Sequence, residues 1–391
     1  MNNSQQEEGR PRYRWAILFV SLLAFVAYAF SFQTAPPLIS SIISEFGISN
    51  VEAGLIMSVV VVPGIFLSIP AGLITGRYGV RRVGLLSLLC VVVGSIVAAT
   101  AGSFFAMLIG RLILGVGGAF ILTATPSIVA QWFEREELGR AMGIFSVNMP
   151  LATVIAFPSA SALNLTYGWR FPFYVGLVLG IVVTLVFAAL IREGPLAQRR
   201  VSVNTGLAVK NLELWKIGLV WLVFQAAALS FTTWAPTLVE RFRGVPKVQA
   251  GFLVSLLGWA AIFCVPVYGW LSDRTGRRRP FLIVGFFLMT LSLAAVAFVP
   301  DAALVASVIA LGVTSAMIPP IAQALPSEIM GASMASVGFG VLNICGNIGA
   351  ALSQPMIGFI LDSTSSYVLS VIAMAVFAAI GAVAGLSLRG K

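Results

Sequence analysis

The chain has 391 residues, of which 59% are hydrophobic and only 10% are charged, where about a quarter would be charged in an ordinary soluble domain. A water-soluble globule of this size is therefore excluded. The formal net charge of +10 does not indicate a nucleic-acid binder, because the cations form short clusters separated by apolar stretches of about 20 residues instead of one continuous basic face.

The first apolar run has a basic flank and an Ala27-x-Ala29 pair, as a cleavable signal would. It continues without a polar break to Leu38, and a matching segment recurs later, so it reads as a first membrane span at 15–37. Further runs of spanning length follow at 51–75, 83–101, 104–129, 141–163 and 171–191. Six more lie at 213–237, 249–272, 281–299, 302–324, 334–361 and 367–388. The predicted fold is an all-α membrane protein with twelve transmembrane helices. Numbering the connections puts 19 of the 24 Lys and Arg residues on one side, which the positive-inside rule assigns to the cytoplasm. Both termini are then cytoplasmic, in a multi-pass protein of the cytoplasmic (inner) membrane.

Sliding the chain by 197 residues aligns "VEAGLIMSVVVVPGIFLSIPAGLITGRYGVRR" with "VQAGFLVSLLGWAAIFCVPVYGWLSDRTGRRR", with eleven of 32 positions identical. "SFQTAPPL" likewise matches "SFTTWAPTL". The chain therefore divides into a tail at 1–14, a six-helix bundle at 15–192, a linker at 193–212 and a second six-helix bundle at 213–388. Each half has an even number of spans, so the two pseudo-symmetric bundles are related by an axis along the membrane normal. That arrangement forms a solute site between halves that rock about it.

The loop "GWLSDRTGRRR" with this six-plus-six plan resembles the major facilitator superfamily, whose loop between helices two and three reads Gly-x-x-x-Asp-Arg-x-Gly-Arg-Arg. Gly269, Asp273, Arg274, Gly276, Arg277 and Arg278 match it. The first copy keeps Gly72, Arg77, Gly79 and Arg81 but has Gly76 in place of the aspartate and Val80 in place of an arginine. The fourth-helix pattern fits Arg111, Gly115, Gly117 and Gly118, whereas the antiporter pattern of the fifth helix is missing. The resemblance implies alternating-access transport, with these loops acting as gating elements. Asp273 is expected to face the N-terminus of a helix in the opposite half, Arg278 to pair with Glu328, and Arg81 to pair with Glu134 or Glu136. Nitrate carriers of the superfamily have an arginine in both the second and the eighth helix. These spans have none inside, so nitrate is disfavoured. "TTWAPTLVERF" also resembles carriers of the cyanate-permease type.

Arg111 is the one ionisable residue well inside a span, where a charge is costly and marks function by default; its guanidinium suits an anion, and a clamp on backbone carbonyls is its structural alternative. Substrate contacts are expected from Arg111, Tyr28, Gln33, Asn148, Gln225, Thr233, Trp234, Asn343 and Asn347, with Thr34 and Thr232 nearby. Interhelical hydrogen bonds or interfacial anchoring are the alternative roles of the uncharged members. Pro36, Pro37 and Pro236 either bend or end the first and seventh spans.

No carboxylate or histidine falls at the midplane to bind a proton or a lipophilic cation. No P-loop pattern implies ATP. With no CxxC spacing among Cys90, Cys264 and Cys345, neither a disulfide framework, a metal site nor a cofactor is expected. The sequence therefore points to a non-enzymatic secondary transporter, a symporter or facilitator, for a small organic or inorganic anion. A proton-coupled drug or metabolite exporter and a non-transporting sensor are the rival readings. The expected partners are the solute, a coupled proton or counter-anion, and the lipid bilayer, with the chain acting as a monomer.

Overall fold

The computed structural model describes residues 4–195, 211–330 and 335–388. Most of the linker expected at 193–212 lies outside the described residues, as do Arg199, Arg200, Lys210, Arg389 and Lys391. Twelve helical segments are long and apolar enough to cross a membrane. Spans 1 to 6 are Tyr13–Phe46, Asn50–Tyr78, Val80–Ala99, Phe104–Trp132, Glu136–Tyr167 and Phe171–Leu190. Spans 7 to 12 are Leu212–Arg243, Lys247–Thr275, Arg278–Phe298, Asp301–Pro326, Gly338–Thr364 and Tyr367–Leu386. Their short connections bring the arginine-rich ends to one face, called here the basic face.

Local chemistry sets the ends. Ser49 starts span 2 with a capping box, its hydroxyl accepting from Glu52 N while the Glu52 carboxylate accepts from Ser49 N. Ser103, Asn211 and Ser366 cap spans 4, 7 and 12. The 29-residue helices of spans 2, 4 and 8 are about 43 Å long. They exceed a hydrocarbon core of about 30 Å, which carries their charged ends into the polar layers.

Pro36 and Pro37 neither end span 1 nor leave it straight. A 3-10 turn over Pro36–Leu38 joins Ser4–Gln33 to a further short helix, Ile39–Phe46. Pro236 is buried within an unbroken helix over Leu212–Arg243. The real breaks, which the apolar pattern hides, lie in spans 5 and 10. Span 5 is split into Arg135–Phe145 and Asn148–Tyr167, and span 10 into Asp301–Ser315 and Ile318–Met330. Pro150, Pro319 and Pro320 have no N–H, so the carbonyls of Ser146, Ser315 and Ala316 lack their i+4 amide donors. Non-helical backbone at membrane depth is tolerated where it lines a cavity, and both breaks do so.

Each half has its own apolar core, centred on Ile56, Leu88, Leu114 and Phe187 in the first and on Trp234, Phe286, Leu293 and Met374 in the second. The halves meet along spans 2 and 11 and along spans 5 and 8. Gly54 and Gly251, equivalent positions of the repeat, lie one in each seam. A Cβ on Gly54 would sit 2.7 Å from the Gln354 carbonyl, and one on Gly251 would sit 2.8 Å from the Phe157 carbonyl. Backbone meets backbone at both points, so only glycine fits there.

Candidate functional site

Between the halves lies a cavity of about 2440 Å³. Its deepest lining residues are Phe32, Val61, Leu229 and Asn347, and it widens to Gly79, Arg81, Gln131 and Glu193 at the basic face. At the opposite face the halves are tied together. The Asp362 carboxylate, on span 11, accepts from Asn50 N at 3.0 Å and Val51 N at 2.9 Å, the first amides of span 2, and from Asn50 Nδ2 at 2.6 Å. Arg241 donates to Asn50 Oδ1, Ser40 to Glu240, and Lys247 to Ser41. Deeper in the seam, Ser58 Oγ donates to the Ala351 carbonyl at 2.6 Å. The molecule is open to the basic face and closed to the other.

Five of the nine expected contacts line this cavity: Tyr28, Asn148, Gln225, Asn343 and Asn347. Asn148 Nδ2 donates to the Phe145 carbonyl at 2.6 Å, across the break in span 5. Asn347 Nδ2 donates to the Asn343 carbonyl at 2.8 Å, leaving its own Oδ1 for the cavity. Among the described residues, the Tyr28 phenol and the Gln225 and Asn343 carboxamides have no hydrogen-bond partner, and none of them is sealed from the cavity. Trp221 stacks on Phe224 at 5.1 Å beside them. The apex thus combines a few free polar groups with aromatic walls, the usual constitution of a small-solute site.

Four expected contacts lie outside the cavity wall. Arg111 is sealed within the first half, where Nη1 donates to the Ser31 carbonyl at 2.8 Å, Nη2 to Phe32 at 3.0 Å and Nε to Ile56 at 3.3 Å. Its donors go to these backbone carbonyls and to the Met57 sulfur, so in this conformation it clamps spans 1, 2 and 4 together and does not touch a solute. It still carries charge without a carboxylate partner among the described residues. Gln33 donates to Thr153 at 2.9 Å, Trp234 donates to the Gln354 carbonyl at 3.2 Å, and Thr233 is fully buried. All three sit in the closed layer, as do Thr34 and Thr232, which bond to the carbonyls of their own helices.

The two arginine loops differ. Of the second copy only Gly269 lines the cavity. Arg278 there bridges Asp273 at 2.9 Å and Glu328 at 2.5 Å. Asp273 therefore bonds within its own half and not to a helix end across the molecule, because the halves are parted on this face. Gly276 closes the loop with φ +62°, a conformation that favours glycine. Arg274 lies over the Trp270 ring at 5.3 Å. The first copy places Gly72, Gly76, Arg77, Gly79, Arg81 and Arg82 on the cavity wall. Arg81 pairs with neither Glu134 nor Glu136. Its backbone N–H donates to Glu193 and its Nη2 to the Ala188 carbonyl at 2.8 Å, because the end of span 6 packs against the start of span 3. Gly79, with φ +88°, lies so close to the Glu193 carboxylate that a side chain would collide with it.

A family model described as Major Facilitator Superfamily matches residues 20–246 and again 243–390. The chain belongs to the major facilitator superfamily. Similar proteins include a probable nitrate/nitrite antiporter NarK1 of Thermus thermophilus, 27% identical over 71% of this chain and 65% of that protein, just under two thirds of its length. A putative tartrate transporter of Agrobacterium vitis is 25% identical over 89% of this chain and 84% of its own. A probable sulfoacetate transporter SauU of Cupriavidus necator is 26% identical over 93% and 91%. Among solved structures, the nucleoside transporter NupG superposes with a TM-score of 0.81 at 14% identity, covering 95% of this chain and 99% of that one, a likeness of fold.

In this major facilitator chain span 2 contributes Ser68, Ile69 and Thr75 to the wall, and span 4 contributes Thr123, Ser127 and Gln131. Neither set is among the contacts expected from the sequence. The second was visible as three polar residues spaced by four, one face of a helix. The first was masked by the general apolarity of its span.

Proposed function

We propose that the chain is a secondary transporter that carries a small organic or inorganic anion across the membrane by alternating access, held here in its inward-open state with the basic face cytoplasmic. The observation that carries this reading is the cavity, open at one face, closed at the other by bonds between halves, and furnished at its apex with the unpartnered polar groups of Tyr28, Gln225 and Asn343 and the free Oδ1 of Asn347. These groups bind a solute by hydrogen bonds. The charge of Arg111, buried behind Phe32 at 5.9 Å from its ring, favours an anion there through its field and not through contact. Relatives named for nitrate and nitrite, tartrate and sulfoacetate support the same class. Spans 2 and 8 have arginine only at their basic ends, Arg77 and Arg274, which favours a carboxylate or sulfonate held by amides over a nitrate held between buried arginines.

The test is flux of nitrate, tartrate, sulfoacetate, a neutral sugar and a quaternary amine into vesicles reconstituted with the purified protein. Saturable movement of an anion is expected, with Tyr28→Phe and Asn347→Leu each raising KM by about tenfold, the loss of one good polar contact. Movement of the amine in exchange for protons would instead establish an exporter. Ligand-induced thermal stabilisation without flux would establish a sensor.

A further inference from the structure

The repeat departs from itself at one position in the loop, with Gly76 where the second copy has Asp273. In the second copy the aspartate is used: Arg278 is shared between Asp273 and Glu328, and none of that loop's arginines reaches the cavity wall. In the first copy three arginines, Arg77, Arg81 and Arg82, are exposed on the wall at the mouth. No carboxylate pairs with their guanidinium groups among the described residues. Arg77 lies over the Tyr78 ring, and Arg81 donates to a carbonyl. The only carboxylate on the described wall is Glu193, turned toward the backbone amide of Arg81. Every anion entering from the basic face passes three cations and one anion on one side of the opening.

We propose that Arg77, Arg81 and Arg82 form an anion-recruiting vestibule for small oxyanions, carboxylates and sulfonates, and that Gly76 keeps it positive. The inference rests on the anion-carrier reading above. A cleft lined by one sign of charge between low-dielectric walls focuses its field and raises the local concentration of counter-ions by about tenfold or more. An aspartate at position 76 would reproduce the Asp273–Arg278 pairing and cancel part of that field. The position has room for one, since nothing lies within 4 Å of a Cβ built there.

The test reads the potential without needing the substrate. In a background with Cys90→Ala, Cys264→Ala and Cys345→Ala, a reporter thiol is placed on the cavity wall by Ser127→Cys. Its modification rates by the anionic sulfonatoethyl and the cationic trimethylammonioethyl methanethiosulfonates are compared with those of free cysteine. The anionic reagent should be favoured by about tenfold relative to free cysteine at low salt, and the preference should collapse at about 0.5 M salt. Gly76→Asp and Arg82→Gln should each cut it about threefold. Arg140→Gln, which removes one charge from the same face off the cavity wall, should leave it unchanged. A ratio equal to that of free cysteine, or one indifferent to Gly76→Asp, overturns the vestibule. A flat ratio with saturable anion flux sinks the vestibule alone. The expected ratio in a protein that moves no anion sinks the transport reading and leaves the vestibule standing.

Discussion

Two aspartates near helix ends have opposite fates in this conformation. On the closed face Asp362, from one half, accepts from the first two amides of span 2 in the other half, where the helix dipole favours a negative charge. On the open face Asp273 has no helix end to meet and bonds to Arg278 of its own half. Each face therefore has a carboxylate at hand, one held by a helix N-terminus across the seam and the other by an arginine of its own half. The pairing within one half keeps the open face from leaving Asp273 as a bare charge.

Substitutions at the seam and in the loops test that contrast. The largest effect is expected from Gly54→Leu, which forces a side chain into the Gln354 backbone. Overpacking of about 1 to 3 kcal/mol at the seam should shift the molecule by about fivefold or more toward the state closed on the basic face. Spin labels at Ser44→Cys and Ser363→Cys, one from each half, should then report a wider separation across the closed face. Next comes Asp362→Asn, which removes the charge that caps span 2. A loss of up to about 1 kcal/mol from the charge–dipole attraction should move the same equilibrium up to about fivefold, and an unchanged label distance would refute the cap as a latch. Asp273→Asn loses little in this state, where its exposed pairing with Arg278 contributes under about 1 kcal/mol, and should lower kcat about threefold with KM unaltered by weakening closure of the open face. Unaltered flux would show that the open face needs no carboxylate to close. Smallest is Gln33→Leu, within one half. It loses the bond to Thr153 but also removes a buried oxygen without a partner, so stability should change by less than about 0.5 kcal/mol, as read by thermal melting.

The architecture was largely legible because its signals are local. Apolar runs of spanning length, the 197-residue repeat and the glycine and arginine spacing of the loops are all contiguous in the chain. The breaks in spans 5 and 10 were not, because Pro63, Pro126 and Pro266 sit in helices that continue through them, so proline alone does not mark a break. The site was half legible. Polar residues in apolar helices can be found by eye, but which of them face a cavity depends on which face of the molecule is open. One sequence serves both states, so Gln33, Thr233 and Trp234 could not be separated from Tyr28 and Asn347. In this conformation Arg81 meets neither Glu134 nor Glu136, and the contact of its backbone amide with Glu193, 112 residues away, arises only through the packing of span 6 on span 3.

The seams between halves also contact near mid-membrane, where a Cβ on Gly64 would lie 2.5 Å from Asn347 Nδ2 and one on Gly258 would lie 2.8 Å from the Pro150 carbonyl. These two close approaches, one in each seam, are the points about which the halves would pivot. Half of a 29-residue helix is about 20 Å long, so a tilt of only a tenth of a radian swings its end by about 2 Å. That is enough to take the bonds around Asp362 beyond hydrogen-bond range together. Short, stiff arms of this kind would lose their outer fastenings together, so the release of this face is expected to be cooperative.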